Sequence, residues 1–204
     1  IVVIQPITFD EPEDEIVNAC DFADQDAVNA AFHAWVAEQT AALNIVANSD
    51  VGYEWTVTNN SLQQTIPDLC VGGTVTVTWN ITDSELCNNI FLSADFTLNP
   101  LPPVTKANVP PAASYECSDD IPAPTNLTWT GGCDENVIAV PTDVSDGLSC
   151  PETITRTWSY TDICGNVYSE SQIITIDDTT PPLLADPISR EYCVENIISA
   201  AFDD

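Results

Sequence analysis

Eight cysteines, at positions 20, 70, 87, 117, 133, 150, 164 and 193, are the residues of this chain best suited to covalent chemistry. No two stand closer than 14 positions, and there is no Cys-x-x-Cys pair of the kind that zinc ribbons and thioredoxin-like sites require. The spacing therefore points to disulfides and an oxidising compartment. Carboxylates are the second set, with 32 Asp and Glu against 3 Lys and Arg and a formal charge of −29. Hard cations want several oxygen ligands, so calcium is the cofactor these residues suggest. Its candidate ligands are the pairs Asp177 and Asp178, after one repeat, and Asp119 and Asp120, just after Cys117, with the run Asp10, Glu11, Glu13, Asp14 and Glu15 as a further cluster. No EF-hand loop or Gly-rich nonapeptide accompanies them, so a solvated acidic surface suited to a salty medium is the competing reading.

Catalysis has little to stand on. His33 is the single histidine, which removes histidine-based metal sites and most general-base schemes. Carboxylate pairs are too abundant to mark a glycosidase, and there is no nucleophile motif or phosphate loop. Lys106, Arg156 and Arg190 are scattered, which excludes nucleic acid and anionic membrane surfaces as partners. No apolar run reaches the ~18 residues of a membrane span, so direct insertion is not expected. A secretion signal is expected outside this segment.

Hydrophobic residues still make up 44% of the chain, enough for packed cores. The elements that would position the cysteines repeat. Thr74 to Asp83 lies over Thr153 to Asp162 at a constant offset, matching Thr74, Thr76, Thr78, Trp79, Thr82 and Asp83 with residues of the same type. A cysteine precedes and follows each stretch. Val75, Val77, Trp79 and Ile81 alternate with Thr76, Thr78, Asn80 and Thr82, a strand period, and turns follow at Gly72-Gly73, Gly131-Gly132, Asp146-Gly147 and Gly165-Asn166. The fold class expected is all-β, as tandem immunoglobulin-like β-sandwich repeats. The units are residues 1–101, 102–182 and the opening of a third at 183–204, so the natural polypeptide is expected to run on. One helix, about 24–43, is inserted in the first unit, with Val28, Ala31, Phe32, Trp35 and Val36 at helical spacing and Asp24 or Asp26 as its cap. It is expected to pack Phe32 and Trp35 across an edge or end of the sandwich.

Four cysteines in the second unit permit three connectivities. Cys117 and Cys150 fall at one end of the expected sandwich and Cys133 and Cys164 at the other, which favours Cys117–Cys150 and Cys133–Cys164, and by position Cys20–Cys70 in the first unit. Cys87 has no obvious partner, and Cys193 awaits one in the rest of its own unit. Proline-rich junctions, Asn99-Pro100-Leu101-Pro102-Pro103 and Asp177-Asp178-Thr179-Thr180-Pro181-Pro182, favour stiff extended spacers.

Tyr115-Glu116-Cys117, the run Thr157 to Asn166 and the Asp-Asp-Thr-Thr-Pro-Pro exit resemble the hyalin-repeat-like, immunoglobulin-like modules of giant Bacteroidota surface proteins, of which the gliding-motility adhesins exported by type IX secretion are the best-known kind. The resemblance covers most of 102–182 and the first unit more loosely, where Asp83 to Asn89 replaces the Asp-x-Cys-Gly-Asn turn. It implies a structural and adhesive segment at a bacterial cell surface. The partners are then neighbouring repeats of the same chain, with surface polysaccharide or other cells' surfaces beyond them. The alternative is a carbohydrate-binding array on a secreted polysaccharide-degrading enzyme, which a flat, exposed Trp55 or Trp129 would mark.

Overall fold

The computed structural model describes residues 8–46, 55–83, 89–106 and 108–181. Cys87, Cys193 and the expected third unit lie outside the described residues.

The first unit is built on one sheet and one helix. β1 (Glu15–Asn18) precedes α1 (Gln25–Ala42), and β2 (Trp55–Asn59), β3 (Gly73–Asp83) and β4 (Asn89–Asn99) follow. The sheet order is β1-β4-β3-β2, with β1 parallel to β4 and the remaining pairs antiparallel. Alternation along β3 buries Val75, Val77, Trp79 and Ile81 on one face, and β4 adds Ala94, Phe96 and Leu98. The helix starts where Asp24 accepts a hydrogen bond from the Ala27 N–H at 2.9 Å. Its buried stripe, Val28, Phe32, Trp35 and Val36, follows the 3.6-residue period.

That stripe lies over the apolar face of the sheet, not across an edge or end of a sandwich as its sequence suggested. Trp35 meets Trp79 edge to face at 5.8 Å, and Phe32 meets Phe96 at 5.5 Å. Trp79 Nε1–H donates to Thr40 Oγ1 at 2.7 Å, so the indole is both packed and satisfied. Burying each such side chain stabilises by about 1.5–3 kcal/mol. Among the described residues the first unit has no second sheet, because the helix already covers the face that a second sheet would cover.

The second unit comprises β5 (Thr105–Lys106), β6 (Ala113–Tyr115), β7 (Leu127–Gly131), β8 (Asp134–Ala139), β9 (Thr142–Ser145), β10 (Glu152–Thr161) and β11 (Val167–Ile176). Its four-stranded sheet runs β6-β11-β10-β9, again with the first pair parallel and the rest antiparallel. A three-stranded sheet, β5-β7-β8, supplies the second layer. Leu127, Trp129 and Ala139 from that layer pack against Trp158 and Tyr160 of β10. The two four-stranded sheets are thus the same object, with β1, β2, β3 and β4 corresponding to β6, β9, β10 and β11. Trp79 and Trp158 sit at equivalent places, each fully buried.

Candidate functional site, a doubly bridged junction

Two disulfides join the units to each other: Cys20 to Cys133, and Cys70 to Cys164. Their Cα atoms stand 5.1 and 5.8 Å apart, within the range a disulfide spans. Each cysteine is held by local structure that the sequence explains. Cys20 lies in a 3-10 turn, Ala19–Asp21, whose Asp21 carboxylate accepts from the Asn18 N–H at 3.1 Å while Ala19 is buried beneath it. Cys70 sits in a turn made by Asp68, whose Oδ1 accepts from the Cys70 and Val71 N–H groups at 2.9 and 3.2 Å. The first turn of α1 steadies that loop, since Gln25 accepts from Leu69 N–H at 2.8 Å and donates to Pro67 O at 3.1 Å.

The second unit presents its pair on two hairpin tips, β7–β8 and β10–β11. Cys164 repeats the Asp68 device: Asp162 Oδ1 accepts from the Cys164 and Asn166 N–H groups, both at 2.9 Å. Asp162 Oδ2 takes the Asn166 side chain at 3.0 Å and the Tyr168 hydroxyl at 3.2 Å. Burial works to raise the pKa of Asp162, but these donors outweigh it and hold the carboxyl below its ordinary range. Tyr160 ties the two tips together by donating to Asp134 Oδ2 at 2.8 Å, next to Cys133. Burial first, and then the carboxylate of Asp134, push the Tyr160 phenol up to about 12. Tyr160 and Tyr168 stack at 5.9 Å, so the cysteine-bearing tips form one braced platform.

Between the bridges runs the proline-rich linker, which two glycines admit. A Cβ on Gly72 would come within 2.7 Å of Leu98 O and 2.8 Å of Pro100 N. A Cβ on Gly131, whose φ is +101°, would come within 2.2 Å of Pro103 O. Gly132 N–H donates to Pro102 O at 2.9 Å. The junction is therefore crossed covalently three times, by the backbone and by two bridges. A shallow hollow of about 570 Å³ beside it is lined by Cys20, Pro102, Thr130, Gly131, Cys133 and neighbours.

These bridges correct the pairings Cys20–Cys70 and Cys133–Cys164. Cys20 follows β1 and Cys70 precedes β3, with β4 between them, so two strand spacings, roughly 9–10 Å, separate them. Cys133 and Cys164 share an end of the second unit but belong to different sheets, about 10 Å apart in a sandwich. Cys117–Cys150 fails for the first reason, with β11 intervening, and both thiols are free and exposed.

The candidate calcium ligands do not assemble. Asp119 and Asp120 lie exposed in a 3-10 turn, Ser118–Asp120, and Asp177 and Asp178 lie exposed after β11. Among the described residues no three His, Cys, Asp or Glu side chains gather as a metal set would. Asp177 has a different neighbour, accepting from the Cys150 Sγ at 3.4 Å. His33 is exposed on the helix. Trp129 is only 3% exposed and Trp55 is half-buried, so neither offers the open platform a sugar ring would stack on.

Among the described residues, the sheet-based layers of the two units are bonded to each other through two disulfides, Cys20–Cys133 and Cys70–Cys164. Residues 105–176, about a third of the chain, match the model of a family described as the HYR-like domain with 4 cysteines. That stretch holds Cys117, Cys133, Cys150 and Cys164. It is thereby similar to hyalin-repeat-like modules, which are extracellular, adhesion-type and non-catalytic. No curated protein matches the chain. No helix among the described residues is long and apolar enough to cross a membrane.

Proposed function

We propose that this chain is a structural and adhesive segment of a long extracellular repeat protein at a bacterial cell surface, of the kind used for attachment or gliding. Its units are tandem variations on one immunoglobulin-like plan, divided near residues 101 and 182. The observation that carries the reading is the junction crossed three times. A spacer that must transmit tension and keep its reach needs fixed joints, and an enzyme or a sugar-binding module does not. The similarity of 105–176 to an adhesion-type module supports the same reading.

The bridges also set the mechanical path. Cys20–Cys133 takes 113 residues out of a chain pulled from its ends. Single-molecule pulling tests this. Reduction is expected to add roughly 370–410 Å of extension, at about 3.3–3.6 Å per residue. Equal extension before and after reduction would contradict the proposed mechanical role, and saturable binding of one defined oligosaccharide at a single site would favour a carbohydrate-binding module instead.

A further inference from the structure

The free thiols Cys117 and Cys150 occupy, at the trailing end of the second unit, the stations that Cys20 and Cys70 occupy at the trailing end of the first. Cys20 stands in the 3-10 turn after β1, and Cys117 stands at the start of the 3-10 turn after β6. Cys70 and Cys150 each stand two or three residues before the long central strand, β3 or β10. The strand between each pair, β4 or β11, leads into the exit chain. At the first junction Asn99 Nδ2 donates to Asn18 Oδ1 at 3.1 Å, tying the exit to the end of β1. At the second end Glu116 does this work, accepting from Thr179 N–H at 2.8 Å and Thr179 Oγ1 at 2.7 Å. Asp177 N–H donates to Tyr115 O at 2.9 Å. The exit chain thus leaves between two thiols that are exposed, as the first linker leaves between two that are bonded.

We propose that Cys117 and Cys150 bond the leading end of a further four-cysteine unit, the one into which the exit chain itself leads, with Cys117 taking the Cys133-type station and Cys150 the Cys164-type station. The four cysteines of such a unit then divide by end: a receiving pair on the two hairpin tips and a donating pair flanking the exit strand. Each bridge forms by thiol–disulfide exchange. Two thiols lose two protons and two electrons to a small disulfide oxidant such as oxidised glutathione, which leaves as two thiols, and the two bridges consume two oxidant molecules. This inference rests on the reading of the chain as part of a repeat array, yet it can fail alone, because intramolecular pairing of Cys117 with Cys150 would leave the first junction intact.

The geometry allows a direct test in the full chain carrying an internal duplication of residues 105–181. Five residues, 177–181, then separate the end of β11 from the copied β5, as residues 100–104 separate β4 from β5. The duplicated chain is refolded in a reduced and oxidised glutathione buffer, digested without reduction and mapped by mass spectrometry. Peptides joining Cys117 to the copied Cys133 and Cys150 to the copied Cys164 are expected, with complete loss of alkylation at the first Cys117 and Cys150. Bonding of Cys117 to Cys150 overturns the proposal, as do persistently free thiols in a folded chain or bridges found only between separate chains. A second measurement does not depend on the duplication folding. In the unextended chain, unreduced, Cys117 and Cys150 are expected to alkylate while Cys20, Cys70, Cys133 and Cys164 do not, and protection of Cys117 and Cys150 by a mutual bridge would overturn the proposal.

Discussion

The two units share a sheet and differ in what covers it. In the first, one face of β1-β4-β3-β2 lies under a helix, and in the second the matching face of β6-β11-β10-β9 lies under β5-β7-β8. The buried alternation of the central strand is kept, down to a fully buried tryptophan, while the cover is exchanged. What the two units have in common is thus the sheet with its pair of cysteine stations at the exit. The cover needs only to be apolar and of the right breadth.

The largest effects should come from the shared tryptophans. Trp79→Ala and Trp158→Ala should each cost about 3–5 kcal/mol, read by chemical denaturation, because both remove a fully buried indole. Similar costs would show that helix and sheet are equivalent covers, and a cost confined to one unit would break the comparison.

Gly131→Ala is expected to come next. Its backbone lies at φ +101°, and the new methyl would meet Pro103 O at 2.2 Å. Strain of this kind costs on the order of 1–3 kcal/mol before the clash is counted. Gly147→Ala, also at positive φ but with nothing within 4 Å, should cost less, which separates junction clamping from turn strain in one pair of melting curves.

The two aspartate-held turns sharpen the comparison further. Asp162→Ala removes an acceptor from four donors at a buried site and should cost about 1–3 kcal/mol. Asp68→Ala removes an exposed acceptor from two and should cost roughly 0.5–1 kcal/mol. Both should slow closure of the Cys70–Cys164 bridge on refolding, measured by timed alkylation.

The smallest effects are those of pH, and they fall on the second unit. Hydrogen bonds from Arg156, at 2.8 Å to each Asp143 oxygen, hold that carboxyl below its ordinary value despite partial burial. A depressed folded pKa gives stability that is present above the unfolded value, about 3.9, and lost as pH falls through the folded one. Asp162 adds to the same acid window. At the other extreme, the raised Tyr160 phenol gives stability that is full below about pH 10 and lost as pH rises towards 12. Tyr160→Phe should flatten the alkaline limb of a melting-temperature profile and leave the acid limb unchanged.

Much of this was legible in the sequence. The strand alternation around Trp79 and Trp158 and the capped helix were written in local periods, and Asp24 marks the helix start within a residue. The helix's role was not, because an amphipathic stripe says that it covers something without saying whether a face or an edge. The cysteine pairing was hidden for a similar reason. Spacing along the chain places Cys133 and Cys164 at one end of a unit, but whether they meet each other or a neighbour depends on the distance between sheets and on what docks there. One signal was available: Asp-x-Cys occurs at 68–70 and again at 162–164, and both aspartates build the same turn around cysteines that bond to each other.

The central claim is that the bridges run between units and not within them. Proteolysis of the oxidised chain without reduction, followed by mass spectrometry of the linked peptides, tests it most directly. The account predicts Cys20 joined to Cys133 and Cys70 joined to Cys164. Finding Cys20 joined to Cys70, or Cys133 joined to Cys164, would contradict it.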